Sequence, residues 1–278
     1  MPAPGAPGTL ERMDLAFREL GGQGAPVVFL HGLFGSSQNW AGMGRRLSQA
    51  GRMLAVDLRN HGSSPHAEPH SLAACVEDLA AWAGQHAPGR LRLIGHSMGG
   101  LVAMSFALHH PERTAGVAAV DIAPRVYPPG HQKELAALRM DLSGCQSRAD
   151  LDGLLARVVP DERTRQFLLT NAVREGDTFR WRIDAEVLSR STVARDFAGE
   201  TAPPNARCEA LLVASGASSY VGPGDPQVMR RWFPTALVET LPAADHWPHI
   251  SAPEELAALL AGFLERCNKR SALSSGMV

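Results

Sequence analysis

Gly95-His96-Ser97-Met98-Gly99 fits the pattern G-x-S-x-G, with the apolar run RLRLIGHS leading into it and the small-residue stretch MGGLVAMSFALHHPER leaving it. A serine on a sharp strand-to-helix turn is a nucleophile for acyl transfer. The glycines let the chain reverse, and the following helix N-terminus faces the negative charge that develops. His31-Gly32-Leu33-Phe34-Gly35 follows another apolar run, PVVFLHG, so the Leu33 N–H can point at the same oxygen as the Met98 N–H. Two such donors form an oxyanion hole, worth about 3 to 4 kcal/mol of barrier per donor. Asp245-His246-Trp247-Pro248-His249 supplies the base. His246 is placed to take the serine proton and return it to the leaving group, while His249, its rival, is expected to pack nearby. His31 is expected to be structural, and His61 and His66 to shape the rim of the site.

Holding these groups in place requires strands and helices in alternation. The sequence predicts an edge strand over 11–20, a strand over 26–32, and a helix from Ser36 or Ser37 to its stop at Gly51. A strand with its exit loop follows over 52–62, a helix over 71–89, a strand over 90–97, a helix over 98–113 and a strand over 115–124. This order argues for an α/β fold with a mostly parallel sheet, right-handed crossovers and flanking helices. From 125 to 202 the alternation stops, and the patches KELAALRM and LDGLLARVV read as a helical cap insertion. ALLVASG (210–216), DPQVMRRWF and ALVETLP (236–242) resume the pattern, and APEELAALLAGFLERC closes it as an amphipathic helix. The resulting division is a flexible tail (1–10), a core in two parts (11–124 and 203–270), the cap between them, and a second flexible tail (271–278).

The chain has 278 residues, 45% of them hydrophobic, which supplies a sizeable core. A formal net charge of −1 gives no electrostatic footprint for nucleic acid or an anionic membrane. Cys75, Cys145, Cys208 and Cys267 are widely separated and form no zinc pattern, so reduced buried thiols are expected. The N-terminus has neither signal-peptide nor transit-peptide character, and no apolar run approaches the roughly 18 residues of a membrane span. The expectation is a cytoplasmic protein acting on a small-molecule acyl substrate.

LHGLFGSSQNW, VDLRNHGSSPH, LIGHSMGGLVAM, VDIAP and HW-PH resemble the α/β-hydrolase superfamily. Within it they are similar to bacterial single-domain esterases related to the eukaryotic α/β-hydrolase-domain-eleven proteins. The resemblance spans about residues 26–265, with QFLLTN and FRWRI in the insertion adding to it. It implies an intracellular serine esterase or thioesterase that needs no cofactor or metal. One motif departs from the superfamily pattern, since Asp245 stands where a glycine usually precedes the histidine.

The superfamily mostly keeps its third catalytic group, a carboxylate, after the strand that here ends at Gly216, but the positions beyond are Ser218, Ser219 and Tyr220. Asp225 is the alternative acid there, though Asp-Pro also reads as a helix cap. Asp121 is the better candidate, because it ends the strand next to the nucleophile strand and neighbouring strands are only about 4.8 Å apart. The resemblance implies the same position. Asp57 also ends a strand but precedes the nucleophile, and with Arg59 it is expected to fix a loop. Phe34, His96, Met98, Phe167, Leu168 and Trp181 are expected to wall an apolar pocket under the cap, Trp181 equally fitting the cap's own core. A dehalogenase would need Asp in place of Ser97. A perhydrolase or a carbon-carbon bond hydrolase would use the same triad, whereas a non-catalytic receptor on this fold usually goes with a damaged triad and here all three parts can be named.

Overall fold

The apolar runs after residue 25 become the buried strands of one seven-stranded sheet in the computed structural model, which describes residues 13–197, 200 and 208–275. Chain order is β1 (Phe17–Gly21), β2 (Pro26–Leu30), α1 (Ala41–Leu47), β3 (Arg52–Val56), α2 (Leu72–His86), β4 (Leu91–His96), α3 (Met98–His109) and β5 (Thr114–Val120). The cap follows with α4 (Gln132–Ala137), α5 (Arg148–Leu155), α6 (Glu162–Leu169), β6 (Ala172–Glu175), β7 (Thr178–Trp181), α7 (Ala185–Ser189) and α8 (Val193–Asp196). The core then resumes with β8 (Glu209–Ser215), α9 (Asp225–Trp232), β9 (Leu237–Leu241), α10 (Pro248–Ser251) and α11 (Pro253–Ser275).

Strand order is β1-β3-β2-β4-β5-β8-β9, parallel throughout except for the antiparallel edge pair β1–β3. Parallel strands need both faces covered, which is why β2, β4 and β5 read as unbroken apolar runs and are buried along their whole length. One face packs against α2 and α3 through Leu79, Trp82, Val102 and Phe106, and the other against α1 and α11 through Met43, Leu256 and Phe263. The C-terminal ends of these parallel strands therefore open on one edge of the sheet, with the loops after β2, β4 and β5 on adjacent strands and the loop after β9 one strand further, beyond β8.

Four expectations are corrected here. The cap is not wholly helical: β6 and β7 form a hairpin closed by Gly176 and Asp177, with Glu175 opposite Thr178 and Gly176 at φ 60°. A glycine at positive φ in the first position of a two-residue loop is a hairpin signal, and Val173 and Phe179 suit the strands beside it. The helix expected from Ser36 to Gly51 is α1 alone, with 3-10 turns on either side at 37–40 and 48–50. The final helix runs on through residues 271–275, expected as a loose tail. Asp225 is not the cap of α9 but its first residue, Gly224 being the N-cap. The expected tail over 1–10, the first residues of the expected edge strand, and the cap's end near 202 lie outside the described residues.

Candidate active site

Ser97 sits between β4 and α3 at φ 51°, ψ −122°, a conformation side chains avoid, and its N–H donates to Val120 O at 3.0 Å. The turn depends on glycine beside it. A Cβ at Gly95 would lie 2.2 Å from Gly99 O, and one at Gly99 would lie 2.5 Å from His31 O. No helix-cap hydrogen bond engages the Ser97 hydroxyl, and Ser97 lines a cavity of about 540 Å³.

Asp121 follows β5 in the left-handed region (φ 52°), with its N–H donating to Val213 O at 2.7 Å. Its side chain is fully buried. Oδ1 accepts the Ser215 N–H at 3.0 Å, and Oδ2 lies 2.8 Å from Nδ1 of His246. A buried carboxylate needs such partners, and here they leave Nδ1 of His246 as the protonated nitrogen, with Nε2 free to accept. Tyr220 stacks flat on the His246 ring, centroids 3.9 Å apart and planes 15° apart, and Tyr220 shares the cavity wall with Ser97. The loop that lacks a carboxylate thus contributes an aromatic face. The Tyr220 hydroxyl lies 3.2 Å from Nε2 of His131, which ties Tyr220 to a cap residue.

Leu33 and Met98 both border the cavity, and among the described residues neither N–H has an intramolecular hydrogen-bond partner. The loop carrying Leu33 is fixed from both sides. The Phe34 N–H donates to Nε2 of His61 at 3.2 Å, and Phe34 O accepts from Asn171 of the cap at 2.7 Å. His61 donates from Nδ1 to Arg59 O at 2.9 Å, and its ring packs between those of His31 and His70. His70 in turn lies 3.5 Å from Sδ of Met98. Burial, reinforced by the neighbouring histidines, holds His61 well below its ordinary pKa, so Nε2 keeps the lone pair that Phe34 requires. His61 is therefore a buried brace and not a rim residue, and His66 is exposed beside a separate hollow with Arg174 and Arg182. His61 was legible only as a loop histidine, because nothing local says which way a loop folds, and nothing in the sequence singled out His70.

The remaining expectations divide. Asp225 does not meet His246: Oδ1 accepts from Arg125 at 2.9 Å and Oδ2 from the Gly222 N–H at 2.8 Å. Asp57 and Arg59 each fix a loop but not together. Asp57 takes the Ser37 and Ser63 N–H groups, and Arg59 forms a buried ion pair with Asp78. Of the expected pocket wall, only Met98 lines the cavity. Phe34, Leu168 and Trp181 belong to the cap's own core, Trp181 donating to Met140 O at 3.1 Å. Phe167 packs on Trp247, and His96 lies buried beneath the base, donating from Nε2 to His246 O at 2.6 Å. The wall comes instead from Leu101 and Ile122 of the core, Tyr127, and Leu135, Leu188 and Val193 of the cap.

Burial of several histidines makes stability depend on pH. Burial pushes His70 down to about 3 and His249 to about 4, and among the described residues neither His249 nitrogen has a hydrogen-bond partner. In an unfolded chain histidine titrates near about 6.5. The folded form therefore resists protonation: this share of stability is complete above about pH 6.5 and is lost as pH falls toward 4 and then 3. Urea midpoints should decline between pH 6.5 and 4, and His249→Phe should flatten the decline. A midpoint constant over that range contradicts the assignment.

The strand order, with the left-handed elbow at its centre, places the chain in the α/β-hydrolase class of folds. The model of the alpha/beta hydrolase family matches residues 27–259, and the chain belongs to that family. It is 34% identical over 267 residues to the sn-1-specific diacylglycerol lipase ABHD11 of Mus musculus, covering 92% of this chain and 86% of that one. It is 29% identical over 242 residues to esterase YbfF of Escherichia coli, covering 86% and 93%. Among solved structures, a marine microorganism esterase superposes with a TM-score of 0.85 at 32% identity, covering 90% and 99%. The chain is a hydrolase of the esterase and lipase type. No helix among the described residues is long and apolar enough to cross a membrane.

Proposed function

We propose that the chain cleaves short to medium acyl esters or thioesters through a Ser97-His246-Asp121 triad. The reading is carried by the 2.8 Å contact between Nδ1 of His246 and Asp121, whose second oxygen is held by the Ser215 N–H. Ser97 attacks the acyl carbonyl as His246 takes its proton at Nε2, and Asp121 fixes the imidazole tautomer and balances the charge that forms. The Leu33 and Met98 N–H groups stabilise the oxyanion. The proton then passes to the leaving group, and water releases the acyl-enzyme by the same route in reverse.

The acyl group occupies the cavity beneath the cap, where Leu101, Ile122, Leu135, Leu188 and Val193 give it apolar contact. About 0.8 kcal/mol per buried methylene makes chain length the main determinant of kcat/KM until the cavity is filled. Across p-nitrophenyl esters of two to sixteen carbons, kcat/KM should rise, peak at short to medium length and then fall. A fluorophosphonate should label Ser97 in the folded protein. Failure to label, with no turnover of any ester, removes this reading and favours a receptor on the same fold.

A further inference from the structure

Asp245 precedes His246 and is three-quarters buried, and its polar groups are committed on three sides. Oδ1 accepts the Trp247 N–H at 2.9 Å, Oδ2 accepts from Nη1 of Arg163 at 2.6 Å, and the Asp245 N–H donates to Ser251 Oγ at 3.2 Å. Burial opposes the charge, yet the Trp247 N–H, Ser251 and Arg163 together outweigh it and hold the carboxyl below its ordinary pKa. Arg163 belongs to α6 of the cap. Phe167, four residues on and so on the same helix face, packs its ring 5.7 Å from that of Trp247. One face of a single cap helix therefore holds both residues that flank His246 in the chain. From beneath, His96 holds the His246 carbonyl.

We propose that α6 is a clamp on the loop of the base, and that Asp245 is a positioning residue that makes the alignment of His246 depend on the cap being seated. This rests on the triad reading above. Asp121 and Tyr220 touch the ring, and core groups hold the backbone of residues 245–247: His96 the His246 carbonyl, Ser251 Oγ the Asp245 N–H, and the N–H groups of Ile250 and Ser251 the Trp247 carbonyl. The clamp adds the flanking side chains, Asp245 through Arg163 and Trp247 through Phe167. Arg163 is more than half exposed, so its pair with Asp245 contributes little to overall stability while constraining local geometry. A plain structural role is the alternative: the Oδ1 contact to Trp247 makes an Asx turn at the entrance to α10 that would exist without Arg163.

The two roles separate in a double-mutant cycle of Arg163→Met and Asp245→Asn, with Arg163→Lys as the conservative variant. Asn keeps an oxygen for the Trp247 N–H but removes the charge that Arg163 meets. The readouts are kcat and KM on one activated ester, the second-order rate of fluorophosphonate labelling of Ser97, and Tm. Arg163→Met and Asp245→Asn should each lose about tenfold in kcat and in labelling rate, below the roughly 10²-fold that a 1 Å misplacement can cost. KM and Tm should barely move, the double variant should be no worse than the worse single, and Arg163→Lys should retain part of what Arg163→Met loses. Losses that multiply, an effect confined to KM, or an Arg163→Met protein with full activity overturns the clamp. An active Ser97→Ala protein would overturn the triad reading instead.

Discussion

Ser97→Ala is expected to abolish ester turnover under the proposed mechanism, with kcat falling by about 10⁵-fold or more while the protein stays folded. Fold and chemistry separate cleanly at this position. The strain of the elbow is borne by the backbone at φ 51° and by glycines 95 and 99, and alanine keeps the same Cβ in the same place. The hydroxyl makes no cap hydrogen bond, so removing it leaves no buried group unpaired. Tm should therefore change little. In the proposed mechanism the variant loses the covalent route altogether, and what should remain is the oxyanion hole acting on water, worth about 10³- to 10⁴-fold over the uncatalysed reaction in serine proteases. Steady-state hydrolysis of an activated ester and fluorophosphonate labelling check this together. More than about 1% residual kcat in a homogeneous preparation is too much for that residue.

Much of this site could be read from the chain because its parts are local. The elbow is five consecutive residues after a buried strand, and the loop at 31–35 and the histidine at 246 stand at strand ends that apolar runs mark plainly. Asp121 was open to the same reading, since parallel strands linked by helices put consecutive strand ends on one edge. The cavity wall was not. Leu168 and Leu188 are both leucines of the cap's core, yet only Leu188 also lines the cavity with Ser97. Which face of a short cap helix turns toward the core is decided by packing between segments that periodicity cannot order. Tyr220 illustrates the same limit: the loop ASGASSYV is conspicuous for the carboxylate it lacks, and nothing in it says that its aromatic ring would cover the base.

Asp121→Asn should lower kcat by about 10⁴-fold, and Asp225→Asn should leave it within a few-fold of wild type. Asp121 serves two donors at once, the Ser215 N–H at Oδ1 and His246 Nδ1 at Oδ2. An amide has one acceptor oxygen and one donor nitrogen, so it cannot satisfy both. With its oxygen on Ser215, the amide nitrogen faces His246 and forces the proton from Nδ1 to Nε2, the nitrogen that must accept from Ser97. With its oxygen on His246, the amide nitrogen meets the Ser215 N–H, two donors face each other in a fully buried site, and the imidazolium loses its counter-charge. Either orientation defeats the base. Asp225 loses only half of its pair with Arg125, which still donates to Tyr220 O and Val126 O, and neither oxygen of Asp225 touches the imidazole. The comparison is made on one activated ester at fixed pH, with Tm recorded for both proteins. A larger loss in Asp225→Asn than in Asp121→Asn would move the acid back to the loop after β8. Equal activity would mean that the proton on Nδ1 is held by neither.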